Sequence, residues 1–117
     1  MTNERESVKV LRECIELQLR KSQDYQNPNS NVLQAMHYRR GVDSIHDTMH
    51  GKMLRAQSLL ESGETANFES LEDTYKDLIN YASFAVSYIR GKMEGQSVTR
   101  DYLNRLKIDG SKIGGVK

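Results

Sequence analysis

The sequence predicts an all-α protein, a compact bundle of four to five helices, and three observations carry that expectation. There is one proline, Pro28, in 117 residues. Apolar residues recur at helical spacing over long stretches, and no stretch alternates with the period of two that a half-buried strand needs. A chain of this length forms one domain, expected over residues 1–108 and followed by a glycine-rich tail over 109–117.

The first helix is expected from about Glu4 to Asp24, with Val8, Leu11, Ile15 and Leu19 as its core stripe and Asn27, Pro28, Asn29 and Ser30 as its stop. A short helix over Val32 to Arg40 follows. Gly41 separates it from, or kinks it into, a third helix over Val42 to Leu60, where Ile45, Met49, Met53, Ala56, Leu59 and Leu60 share a face. Gly63 suits a helix C-cap. After Phe68 the most regular helix runs to Gly91, with Leu71, Tyr75, Leu78, Ala82, Ala85 and Ile89 at nearly one azimuth. Val98 to Leu106 forms a small fifth helix in this reading.

Composition narrows the function classes. Lys and Arg number 17 against 16 Asp and Glu, so no global positive field draws in a nucleic acid backbone and duplex DNA is not the expected partner. The lone Cys14 has no internal disulfide partner, and no apolar run approaches the roughly 20 residues of a membrane span. The opening residues lack the apolar core of a signal peptide, and the expected setting is cytoplasmic. Hydrophobic residues make up 37% and mean hydropathy is −0.71, a thin core of the kind that oligomerisation often supplements.

Chemistry is suggested by the second faces of the helices. On the late helix, Asp73, Asp77, Asn80 and Phe84 lie opposite the apolar stripe, with Tyr81 and Tyr88 on the flank. The row is either a solvated face or, because carboxylates one turn apart can share a hard cation, a Mg²⁺ site that recruits substrate phosphates. On the first helix, Val10, Glu13, Leu17 and Asp24 lie opposite the main stripe and Glu16 borders them, so another helix or another subunit is expected to cover them. Lys52 falls inside the apolar sector of the third helix with Arg55 at its edge; the pair either snorkels or neutralises phosphate. His46 and His50 stand four apart without an HExxH pattern, Cys14 reads as a small buried group, and no strand-borne glycine loop for phosphate is present.

Three segments resemble a known family. Lys21-Ser22-Gln23-Asp24-Tyr25, then Lys52-Met53-Leu54-Arg55, then Glu69 to Tyr81 with the pattern E-S-x-x-D-T-x-x-D-L-x-N-Y are similar to the nucleotide modification associated domain family of phages and bacteria, and distantly to MazG-like all-α nucleoside triphosphate pyrophosphatases. The resemblance spans about Leu11 to Tyr88. It implies an oligomeric helical bundle in which acids from two helices hold Mg²⁺, or Mn²⁺, against nucleotide phosphates. Carried over by position, Glu13, Glu16, Asp73 and Asp77 become metal ligands, and Lys21, Asp24, Tyr25, Lys52, Arg55, Asn80 and Tyr81 contact substrate. MazG-like enzymes carry E-x-x-E and later E-x-x-D pairs; Glu13 and Glu16 keep the first spacing, whereas Asp73 and Asp77 are four apart.

The function expected is Mg²⁺-dependent cleavage between the α- and β-phosphates of a nucleoside triphosphate, canonical or modified, with Glu16 or another unligated acid as the base. The alternative is a non-catalytic protein that captures a nucleotide or nucleotide signal in the same place. Both readings expect a homo-oligomer, a dimer or tetramer with the site near the interface, because Val10, Leu17, Tyr81, Phe84 and Tyr88 lie off the main stripes.

Overall fold

The computed structural model describes residues 3–25, 30–63 and 68–107, and of residues 23–25, 68 and 69 the backbone alone. Helix α1 covers Glu6–Tyr25, a short 3-10 turn Gln34–His37, α2 Val42–Ser62 and α3 Phe68–Ile89. The described residues contain no strand, only an isolated antiparallel bridge between Arg100 and Leu106. The all-α expectation therefore holds with three long helices rather than four or five. Among the described residues, no helix is long and apolar enough to cross a membrane. The stop around Asn27, Pro28 and Asn29 and the tail over 109–117 lie outside the described residues.

The chain divides into two compact units, residues 1–31 with 48–83 and residues 32–47 with 84–117. In the first unit α1 packs on α3 through the face expected to be secondary. Cys14 is 2% exposed, Val10 and Leu17 are half-buried, and the Cys14 thiol reaches the Lys76 carbonyl oxygen at 3.9 Å. The expected core stripe is instead outside: Val8, Leu11, Ile15 and Leu19 are 36%, 49%, 58% and 61% exposed. Both rows of α1 are apolar enough to pack, and periodicity reports that two rows exist without saying which one meets the chain's own helices. Helix α3 does not bury its apolar stripe alone in this unit. Thr74 and Asn80 are buried, while Tyr75 on the apolar stripe is exposed and Leu71, Leu78 and Ala82 are half-buried. The face foreseen for α2 is kept in part, since Ala56 is buried and Leu59 half-buried, but Met53 and Leu60 are exposed.

The second unit is built around Ile45, Tyr88, Met93 and Ala35, all buried. Its loops are tied by backbone bonds from Ala35 N–H to the Glu94 carbonyl at 2.9 Å and from Val42 N–H to the Tyr102 carbonyl at 2.8 Å. Gly41 has a φ of +61° and sits so close to residues 102–104 that an added Cβ would run into the Tyr102 carbonyl oxygen, so only glycine fits there. Helix α3 ends in a Schellman motif: Lys92 N–H donates to the Ser87 carbonyl and Gly91 N–H to the Tyr88 carbonyl, both at 3.0 Å, with Gly91 at φ +72°.

The fifth helix expected over Val98 to Leu106 is a turn. Asp101 Oδ1 accepts from the backbone N–H groups of Leu103 and Arg105, each at 2.9 Å, and Asn104 has a φ of +60°. Short polar side chains that capture nearby N–H groups offer the backbone an alternative to the helix, and here the alternative wins. Tyr88, expected at an interface, fills the core of this unit, so its place off the apolar stripe reflects burial within the chain.

Candidate functional site

The first unit gathers its charged side chains along α3. The i, i+4 geometry of that helix puts Asp73, Asp77, Asn80 and Tyr81 on adjoining rows, with α1 along one edge and α2 along the other. Asp77 is the meeting point. Its Oδ1 accepts from Lys21 Nζ of α1 at 3.4 Å and its Oδ2 from Lys52 Nζ of α2 at 3.1 Å. The side chains of Asp77 and Lys52 are 23% and 29% exposed, so the pairing is partly shielded from water and stronger than a surface ion pair. Lys52 Nζ also stands 5.8 Å from the Tyr81 ring centroid, within reach of a cation–π attraction. The Lys in the apolar sector of α2 is thus a buried-stem, charged-tip side chain whose tip is held by a carboxylate.

Two further groups extend the seam. Lys76 binds Glu13 of α1 at 2.9 Å and Glu72 at 3.0 Å; the hydrogen bond with Glu13, then that with Glu72, holds its ammonium well above the usual lysine range. Gln18 donates to Asn80 Oδ1 at 3.3 Å and to Ser83 Oγ at 3.1 Å, which satisfies the buried amide of Asn80. Burial raises the Cys14 thiol above its ordinary value, so the thiolate is disfavoured and Cys14 acts as packing.

Of the residues singled out in the sequence, Lys21, Lys52, Asp77, Asn80, Tyr81 and Glu13 come to this seam. Glu16, Asp73 and Arg55 are exposed. Asp24 and Tyr25 end α1, and their side chains lie outside the described ones. Among the described residues no group of three or more His, Cys, Asp or Glu is placed to hold a metal ion. Lys76 lies off the row of Asp73 and Asp77 and pairs with Glu13 and Glu72 instead; Gln18 gave no signal beyond lying one turn after Cys14. The one clue to Lys76 was its i, i+4 spacing from Glu72.

Fold and seam together define a small all-α domain in which lysines from two helices converge on one carboxylate of a third. Residues 21–88 match the family described as nucleotide modification associated domain 1, and the chain belongs to that family, whose name ties it to nucleotide modification. No curated protein and no solved structure matches the chain at a significant level.

Proposed function

We propose that the seam of the first unit binds the phosphates of a nucleotide, with Lys21 and Lys52 as the phosphate ligands and Asp77 as the carboxylate they leave to take it. The observation that carries this reading is the convergence of two ammonium groups from two helices on one partly buried carboxylate. A phosphate offers the lysines more charge and more acceptor oxygens than Asp77 does. Asn80 and Tyr81 lie beside them to meet the rest of the nucleotide, and Arg55 is available at the rim of α2.

The donor set does not fit a resident Mg²⁺. Both oxygens of Asp77 carry ammonium groups, and Glu13 is engaged by Lys76, so coordination by either acid requires its lysines to move. This favours the binding reading over the hydrolytic one. Cleavage of a triphosphate stays as the second reading because Glu13 and Asp77, from two helices, both face the seam. Mg²⁺ arriving with the nucleotide would neutralise phosphate charge and polarise the scissile bond.

Calorimetry with canonical and base-modified triphosphates, in EDTA and then in Mg²⁺, tests the proposal, alongside an assay for released pyrophosphate. Binding is expected in EDTA, and it disappears in the Lys21→Gln, Lys52→Met double variant. Heat from none of the nucleotides would sink the reading. Pyrophosphate released only with Mg²⁺ would move the protein to the hydrolase class.

The assembly we propose is a homodimer through α1. Its exposed row of Val8, Leu11, Ile15 and Leu19 is flanked by Arg12 and Glu16, and two antiparallel copies centred near residue 14 bring each Arg12, which pairs with Glu4 of its own chain, close to the partner's Glu16. A self-complementary face of this kind suits a twofold interface.

A further inference from the structure

We propose that the second unit carries an anion site of its own, a shallow basic depression at the C-terminal end of α3 that grips the phosphates of a nucleotide strand. It is independent of the seam in the first unit, and all but one of its lining residues, Tyr88, lie beyond the family match, which ends at residue 88.

The near-neutral total charge conceals two unlike parts. Residues 1–31 and 48–83 hold 8 Lys and Arg against 11 Asp and Glu, and residues 32–47 and 84–117 hold 9 against 5. A net of −3 in one unit and +4 in the other makes the +1 of the whole chain. The absence of a global positive field, read from the composition, therefore says nothing about the second unit.

Within that unit a depression of about 240 Å³ is lined by Arg90, Arg100, Lys107, Tyr102, Gln96 and Tyr88, among others. Arg90 and Lys107 make no side-chain ion pair or hydrogen bond with any described residue, so their charges are available to a ligand. The Arg100 guanidinium donates to the Asn104 carbonyl, at 3.2 Å. The one acid in the lining, Asp101, is neutralised by Arg105 at 2.9 Å. The negative end of α3 is muted as well, because Gly91 and Lys92 cap its last carbonyls.

The floor is firm. Tyr88 is buried, and Gln96 locks it by donating to the Tyr88 carbonyl at 2.8 Å while accepting from Met93 N–H at 3.0 Å. Tyr102 stands exposed at the edge and offers a ring on which a base can stack. The depression is smaller than the roughly 300–1,000 Å³ of a pocket that encloses a small molecule, so it suits part of a longer ligand.

Fluorescence anisotropy of labelled (dT)₁₂ at 50 mM salt tests the site, with thymidine 5′-monophosphate as competitor. The wild-type chain is expected to bind, with affinity falling as salt rises. Arg90→Gln with Lys107→Gln removes two of the three cations and is expected to weaken binding at least tenfold and to flatten the log–log salt slope by about 1.4. Tyr102→Ala is expected to cost roughly fivefold or more, and Lys9→Gln, at an exposed cation of the other unit, to leave (dT)₁₂ affinity unchanged. Competition by the monophosphate as strong as by unlabelled strand would identify the ligand as a single phosphate group, and weaker competition as a strand; either keeps the site. No binding by the wild-type chain, an unchanged affinity in the double variant, or an equal loss in Lys9→Gln would overturn it.

Discussion

Replacing Asp77 with Asn keeps the shape of the side chain and removes the charge that two lysines share. Asp77 holds Lys52 Nζ at 3.1 Å and Lys21 Nζ at 3.4 Å. Exposed ion pairs are worth about 0.2–1 kcal/mol, and breaking a fully buried one costs about 3–5 kcal/mol; this pairing, partly shielded, falls between. The variant also leaves the two ammonium groups facing each other at no more than about 9 Å, a repulsion of about 0.5–2 kcal/mol for effective dielectric constants between bulk water and a protein surface. A destabilisation of about 1–2 kcal/mol results, or a Tm lower by about 4–8 °C for a domain of this size. Thermal unfolding followed by circular dichroism in 20 mM and 1 M salt reads it, and the deficit is expected to shrink at high salt, where screening removes the repulsion. Pyrophosphate is the second arm. It now meets two lysines with no competing carboxylate, so a given concentration raises the Tm of Asp77→Asn more than that of the parent. A Tm within about 1 °C of the parent at low salt, or a pyrophosphate shift no larger than the parent's, would refute the reasoning.

Gly41→Ala is expected to lose about 2–4 kcal/mol in urea denaturation, because its φ of +61° and the Tyr102 carbonyl both exclude a Cβ; an unchanged midpoint would mean the 102–104 loop moves freely away. Cys14 is expected to react with a thiol reagent at pH 8 at least tenfold more slowly in the folded chain than in urea. Its folded pKa lies above the unfolded value, chiefly through burial, so its stabilising contribution is complete below the unfolded pKa and is lost as pH rises past about 9; equal reaction rates in the two states would contradict that burial. Light scattering at micromolar concentration should give twice 13.4 kDa for the parent and a monomer for Ile15→Lys, which puts a charge in the middle of the exposed α1 row; a parent that is monomeric in the presence of nucleotide removes the proposed dimer.

The helices were legible because their punctuation is local. Gly63 and Gly91 end α2 and α3 where their backbone suits a C-cap, and the stretches between hold no other breaker than Gly51. The fifth helix was misread for a reason equally local: Val98, Tyr102 and Leu106 have helical spacing, but Asp101 takes the N–H groups of Leu103 and Arg105 and Asn104 turns to a φ of +60°, and so short a segment has little helical cooperativity to oppose them. Which face of each helix turns inward was not legible, because that depends on what α1, α2 and α3 offer one another. In α1 the row Val8, Leu11, Ile15 and Leu19 is the more apolar, yet Cys14 and Gln18 are the residues that reach the Lys76 carbonyl and Asn80. Small and hydrogen-bonding side chains allow helices to approach where polar groups must be satisfied, and Lys76, Asp77 and Asn80 supply many such groups on α3. The inversion also accounts for the composition of the acidic row. The row of α3 that looked too acidic and too aromatic for a solvated surface is unusual because Lys21, Lys52 and Gln18 face it, and a partly shielded polar row exposes its own chain's apolar rows to whatever binds them. Charge inside and Leu11, Ile15 and Leu19 outside are thus two consequences of one arrangement, and a second copy on α1 would restore to the first unit the apolar burial that its polar seam displaces.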